Sequence, residues 1–302
     1  MMTFFTMPKH MRGHFDIIQR NAITSWTNLD PRPEIILMGN DEGVAELACE
    51  LNLKHCPEID TNEHGTPLVS SLFEQAHRNG SHDVFNYINS DIILLEDFAK
   101  AFELTAQQST PFLFSGRRHD IDITEPIDFS YPDWRDRLRQ CVREAGTLHH
   151  NSGVDYFVYS RGVFDTMPPF AIGRTAYDNW FFWHCRSRKV PIIDISNAIV
   201  SIHQNHDRTY QSVGIQHPDK TADLRKGNEA AHNVKLAGGP LHLYKIMDAS
   251  HRIDSNWLIH PVSGSAYWPY AVRRFFFTTP GFREISRLAM KVYRRVRKLP
   301  GA

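Results

Sequence analysis

Apolar residues recur in two rhythms over the first ~95 positions: short unbroken runs, and runs spaced three or four apart. Residues 2–7 are expected to form the first strand, ended by the turn at Thr6-Met7-Pro8-Lys9. From His14 to Trp26, the residues Phe15, Ile18, Ala22 and Trp26 share one helical face. Asp30-Pro31-Arg32-Pro33 predicts a turn, and Glu34 to Met38 a buried strand that ends in Gly39-Asn40-Asp41. A helix over Val44–Leu51, a strand over Leu53–Ile59 and a helix over Leu68–Arg78 follow. Strands this apolar, alternating with helices, predict a parallel sheet covered on both faces.

The next strand, Asp83 to Ile88, runs into Asn89-Ser90-Asp91 and then a second apolar run, Ile92 to Leu95. A carboxylate at a strand end lies where open α/β sheets bind ligands, and suits a hard cation carrying a diphosphate. The second half is less regular. Strands are expected over Phe112–Arg118, Val154–Tyr159, Pro191–Asp194 and Ala198–Ser201, with an acidic loop from Asp120 to Asp136. A helix rich in aromatics starts at Asp178, and a mobile polar loop is expected from Asn205 to about His232. The cluster His203-Gln204-Asn205-His206-Asp207 follows an apolar run and supplies further metal-ligand types.

Composition narrows the class. The 302 residues carry no net charge, but nine of the basic residues and only one acid fall between Arg273 and Lys298. The remaining 25 basic and 33 acidic residues leave an acidic body, which argues against nucleic-acid binding. The tail spacing predicts a basic amphipathic helix able to lie on an anionic membrane or to pack on the body. Cys49, Cys56, Cys141 and Cys185 are far apart and are expected as buried, reduced thiols of a cytoplasmic protein. No signal peptide or membrane span is evident.

Taken in order, these features resemble the GT-A class of glycosyltransferases, the nucleotide-diphospho-sugar transferase fold. The resemblance covers residues 2–207 and is closest to the family 2 type. It extends to a bacterial subgroup carrying Pro169-Phe170-Ala171-Ile172-Gly173-Arg174-Thr175-Ala176, then Asp178-Asn179-Trp180. It implies a Rossmann-like mixed α/β sheet flanked by helices over 1–245, with a nucleotide-binding half (1–100) and an acceptor half (101–245). Residues 246–302 would form a C-terminal extension ending in the basic helix.

The family's Asp-x-Asp metal motif maps onto Asn89-Ser90-Asp91. Asp91 takes the ligand role, and Asn89 can still bond a ribose hydroxyl but brings no charge. The family's late metal-binding His maps onto His203, with His206 and Asp207 as competing candidates, and the mixed ligand set suits Mn²⁺ better than Mg²⁺. Asn40 and Asp41 take the place of the nucleobase reader, and Pro8 closes over the same nucleotide with Lys9. Asp178 matches the base of inverting members, with Asp155 in reserve or binding acceptor hydroxyls. Arg174 is placed to stabilise the departing diphosphate; Arg117 and Arg118 either share that task or pair with the acidic loop.

The expected activity is metal-dependent transfer of a sugar from a UDP- or GDP-linked donor to a glycan or lipid-linked hydroxyl, as in polysaccharide biosynthesis. The protein is expected in the cytoplasm, with peripheral contact to the inner face of a membrane. A binding protein of the same fold without turnover is the alternative. A sugar-nucleotidyltransferase is disfavoured because residues 6–10 lack its Gly-rich signature. A metallohydrolase on His203, His206 and Asp207 would need a tighter ligand group.

Overall fold

A computed structural model describes residues 1–151, 153–206, 220–263 and 272, with backbone alone for 220–226 and 241. The chain divides into a unit from Met1 to His260 and a second from Pro261 to Ala302. The basic segment 273–298 and Asp207 lie outside the described residues.

The first half alternates as its apolar rhythm requires: β1 (Thr3–Thr6), α1 (Gly13–Thr27), β2 (Glu34–Met38), α2 (Val44–Glu50), β3 (Lys54–Cys56), α3 (Val69–Asn79) and β4 (Val84–Ile88). β3 is shorter than the 53–59 run suggested, because Pro57 follows Cys56 and cannot donate to a ladder. After β5 (Ile92–Leu94) come α4 (Ala99–Ala106), β6 (Leu113–Ser115), β7 (Arg118–Ile121), α5 (Trp134–Ala145), β8 (Thr147–Leu148) and β9 (Tyr156–Ser160). The chain continues through α6 (Tyr177–Ser187), β10 (Ile192–Asp194), β11 (Ser201–Gln204), α7 (Lys220–Leu236), β12 (His251–Ile253) and β13 (Ile259–Pro261).

Among the described residues the strands form two sheets. The larger is mixed, in the order β13-β12-β10-β6-β9-β4-β1-β2-β3, and the smaller runs β5-β11-β7-β8. Since β1 is parallel to both β2 and β4, their carboxyl ends share one edge of the sheet. The order turns back between β1 and β4, which is where such sheets open a ligand crevice. β9 runs antiparallel to β4 and so brings its leading residues, Val154 and Asp155, to that edge. β12 pairs with β10 and extends the sheet past residue 245.

Five further local expectations change. The run 112–118 is two strands in different sheets. Gly116 marks the crossing, where a Cβ would lie 2.2 Å from the Tyr156 hydroxyl, so only glycine passes. Residues 134–136 of the expected acidic loop open α5, whose buried face is only Trp134, Leu138 and Val142. The strand expected at 198–201 starts at Ser201, so His203 sits within β11. Residues 220–232, expected in a loop, lie on α7; residues 207–219 lie outside the described residues. The cysteines are free as expected, but Cys49 and Cys141 are exposed; only Cys185 is fully buried.

α1 fixes the metal-motif segment against the small sheet. Trp26, wholly buried, donates its indole N–H to Ile92 O at 2.8 Å, and Ser25 Oγ accepts from Leu94 N at 3.1 Å. Gln204 is held from the same helix, donating to Ile18 O (2.7 Å) and accepting from Asn21 (3.0 Å). Both ends of the β5–β11 pair are therefore anchored to one rigid element.

Candidate metal and transfer site

Strand register assembles the site. Asp91 immediately precedes β5, and β11 pairs with β5 so that His203 stands opposite Ile92. On its other side β11 pairs with β7, which sets His203 opposite Asp120. The backbone N–H of Gln204 donates to Asp91 O at 3.4 Å, closing the corner. His206, two residues past β11, brings Nε2 to 3.0 Å from Asp91 Oδ2, while His203 Nε2 lies 3.7 Å from the same oxygen. The ligand atoms of Asp91, His203 and His206 all fall within 4.8 Å of one another.

The chemistry of this group fits a divalent cation. Among the described residues, Asp91 Oδ1 is buried without a hydrogen-bond partner. Burial opposes ionisation of Asp91, but the hydrogen bond from His206 and the nearby His203 outweigh it and hold its pKa below the usual carboxylate range. Burial pushes His203 down, which favours the neutral imidazole a metal needs. The sequence named Asp91 and His203 and kept His206 as a rival; the structure brings all three together.

A second layer surrounds them. Asp155 is raised by burial and by Asp91, with Arg118 opposing. The Arg118 guanidinium bonds Asp155 through Nη1 and Asp120 through Nε, the latter at 2.9 Å. His149 Nδ1 meets Asp120 Oδ2. Asp120 and His149 were not singled out from sequence as site residues, since only the register of the small sheet brings them in. Burial opposes the charge of Asp120, but His149 and Arg118 hold it low.

Asn89 donates its side-chain amide to Asp155 Oδ1 at 2.7 Å, and its backbone N–H to Asp155 O at 2.9 Å. A carboxylate thus stands against Asn89 from the neighbouring strand. Restoring an acid with Asn89→Asp would set two carboxylates against each other, and such pairs keep a proton. This variant is expected to bind Mn²⁺ no more tightly than the parent at pH 7, and calorimetry of the two checks it.

Asp178 is the second residue of α6, not its cap. The cap is Ala176, fully buried and held at φ 95°, a left-handed conformation costly for a non-glycine residue. Asn233 on α7 overdetermines that turn through Ala171 N and O and Thr175 O. Burial is the main cause raising Asp178, with Asp155 adding to it, and together they bring it to about 6 against the helix amides. Tyr87, pushed by burial up to about 12, and Tyr177 face each other beside these acids at 3.5 Å.

The remaining sequence candidates separate into two groups. Pro8 is buried and Lys9 exposed at the end of β1. Gln19 ties this segment to the metal motif, accepting from Lys9 N (2.7 Å) and Ser90 Oγ (2.9 Å). Asn40 and Asp41 are exposed at the neighbouring end of β2. Arg174 instead pairs with Glu229 at 2.7 Å, and Glu229 also accepts from Asn62 at 2.8 Å. Burial opposes ionisation of Glu229, yet Asn62, Thr66 and Arg174 bring it down to about 2.

No protein-family model and no curated protein matches the chain. Among solved structures it is similar to glucosyl-3-phosphoglycerate synthase from Mycobacterium tuberculosis in complex with Mn²⁺, UDP and phosphoglyceric acid. That match has a TM-score of 0.46 and 14% identity, covering 88% of this chain and 87% of that one. It is also similar to a TarS fragment from S. aureus in complex with UDP-GlcNAc, with a TM-score of 0.46, 12% identity, and 78% and 70% covered. Identities this low leave the functional reading to the site's own residues.

Proposed function

We propose that this chain is a metal-dependent glycosyltransferase of GT-A type that moves a sugar from a nucleoside-diphosphate donor to a hydroxyl acceptor. The observation that carries the reading is the convergence of Asp91, His203 and His206 beside the carboxyl end of β4, with two further acids close by. Asp91, His203 and His206 would hold the cation, Mn²⁺ better than Mg²⁺ given two imidazoles. When bound, it supplies positive charge for the leaving diphosphate.

Asp178 acts as the base. An acceptor O–H loses its proton to this carboxylate as its oxygen bonds to the anomeric carbon and the bond to the diphosphate breaks, which inverts the centre. Asp155 suits this role less, because Arg118 already neutralises it. Its oxygens, with the Tyr87–Tyr177 pair, are better used to orient the acceptor. Pro8, Asn40, Asp41 and Asn89 line the donor side. Arg174 contacts the diphosphate only in a state in which Glu229 releases it. The acceptor is a glycan or lipid-linked glycan, for which the basic segment 273–298 supplies attraction to an anionic membrane.

The reading is tested by incubating the full chain with Mn²⁺ and a panel of UDP- and GDP-sugars, without acceptor. Slow, chelator-sensitive release of one nucleoside diphosphate is expected. Binding without release would make the chain a non-catalytic member of the fold, and the absence of both binding and release would overturn the reading. Among the described residues no helix is long and apolar enough to cross a membrane.

A further inference from the structure

His203 stands between two carboxylates on the middle strand of the small sheet. Nε2 faces Asp91 at 3.7 Å and Nδ1 faces Asp120 Oδ1 at 3.1 Å. The residue is 6% exposed, and among the described residues Nδ1 makes no aligned hydrogen bond despite its closeness to that oxygen. A ligating imidazole must keep one nitrogen bare and carry its proton on the other, and an acceptor at the second nitrogen decides which.

Asp120 cannot simply turn toward the ring. Arg118 Nε holds the same Oδ1 at 2.9 Å, and His149 engages Oδ2. A carboxylate pinned at both oxygens is a fixed reference, and a small rotation of His203 completes the bond.

We propose that Asp120 is the positioning residue for the metal ligand His203: it holds the proton on Nδ1 and leaves Nε2 bare toward Asp91. The inference rests on the metal reading above, and adds the residue that sets the ligand's tautomer and aim. Arg118 extends the connection, since it spans Asp120 and Asp155 and so ties the ligand's orientation to a second acid of the site.

The test uses the full chain as wild type, Asp120→Ala and Asp120→Asn, with thermal melts to confirm folding. Mn²⁺ affinity is read by calorimetry, and the His203 ring ¹⁵N shifts are read without metal at a pH above the imidazole range. Asp120→Ala is expected to weaken Mn²⁺ binding about 10- to 100-fold, the usual cost of losing such a partner. Its His203 should shift from the Nδ1–H form to a mixture. Asn retains an acceptor oxygen and should recover most of the affinity; it also serves if the Ala variant does not fold.

Unchanged affinity in both variants would overturn the proposal. So would weakened affinity with the His203 tautomer unmoved, because the loss would then come from general disruption. If the wild type binds no Mn²⁺, the metal reading fails on its own, while the ring shifts still decide whether Asp120 sets the tautomer.

Discussion

Replacing Asp91 by Asn is expected to abolish Mn²⁺-dependent nucleotide binding while leaving the fold intact. Asp91 is the only carboxylate in the three-residue cluster, and both imidazoles point at its Oδ2. An amide is a poor hard-cation ligand and brings no charge to offset the ion. The loss should exceed about a hundredfold, beyond what removing an outer-sphere partner usually costs. Folding should survive because what anchors the segment is Trp26 and Ser25 against β5, and both reach backbone atoms. Calorimetry with and without chelator reads the first part, and a thermal melt the second. Equal affinity in the two proteins would remove Asp91 as a ligand.

Asp178→Asn should spare donor binding and depress transfer by a factor on the order of 10²–10⁴, the usual size of a general-base contribution. The pH profile supplies an independent check. Burial first, and Asp155 second, raise this carboxyl to about 6. A base works only when ionised, so wild-type kcat should climb with pH and level off above about 6. The variant should lose that limb.

Stability moves the other way. A carboxyl raised in the fold binds its proton more tightly there than when unfolded. Its contribution therefore improves as pH falls from about 6 toward the ordinary value, and at pH 8 its charge costs stability. The Asn variant should melt no lower than wild type at pH 8. Wild-type rates in Asp178→Asn would move the base to Asp155.

The parts of this site that local pattern could reveal are those next to strong apolar runs. β1, β2 and β4 read clearly because mostly apolar runs end at Pro8, Asn40 and Asn89. Asp91 and His203 follow from position alone. Asp120 and His149 do not, since their contribution depends on β7 pairing with β11 and β8, a non-local register that no spacing encodes. α5 is so rich in Arg that three buried apolar residues at i, i+4 and i+8 carry its helical periodicity.

Charge partners were the least legible. Glu229, 55 positions beyond Arg174, engages the guanidinium that its neighbour Asp178 would have assigned to the donor. Nor could sequence show that Asn89 meets Asp155, because that contact runs across an antiparallel strand pair.

Titration of UDP and GDP into the purified chain by calorimetry, first with Mn²⁺ and then with EDTA, bears most directly on the central claim. Tight binding of one nucleotide that disappears with EDTA is the predicted result. Binding indifferent to the chelator, or no binding of either nucleotide, would contradict a cation held by Asp91, His203 and His206 and the transferase reading built on it.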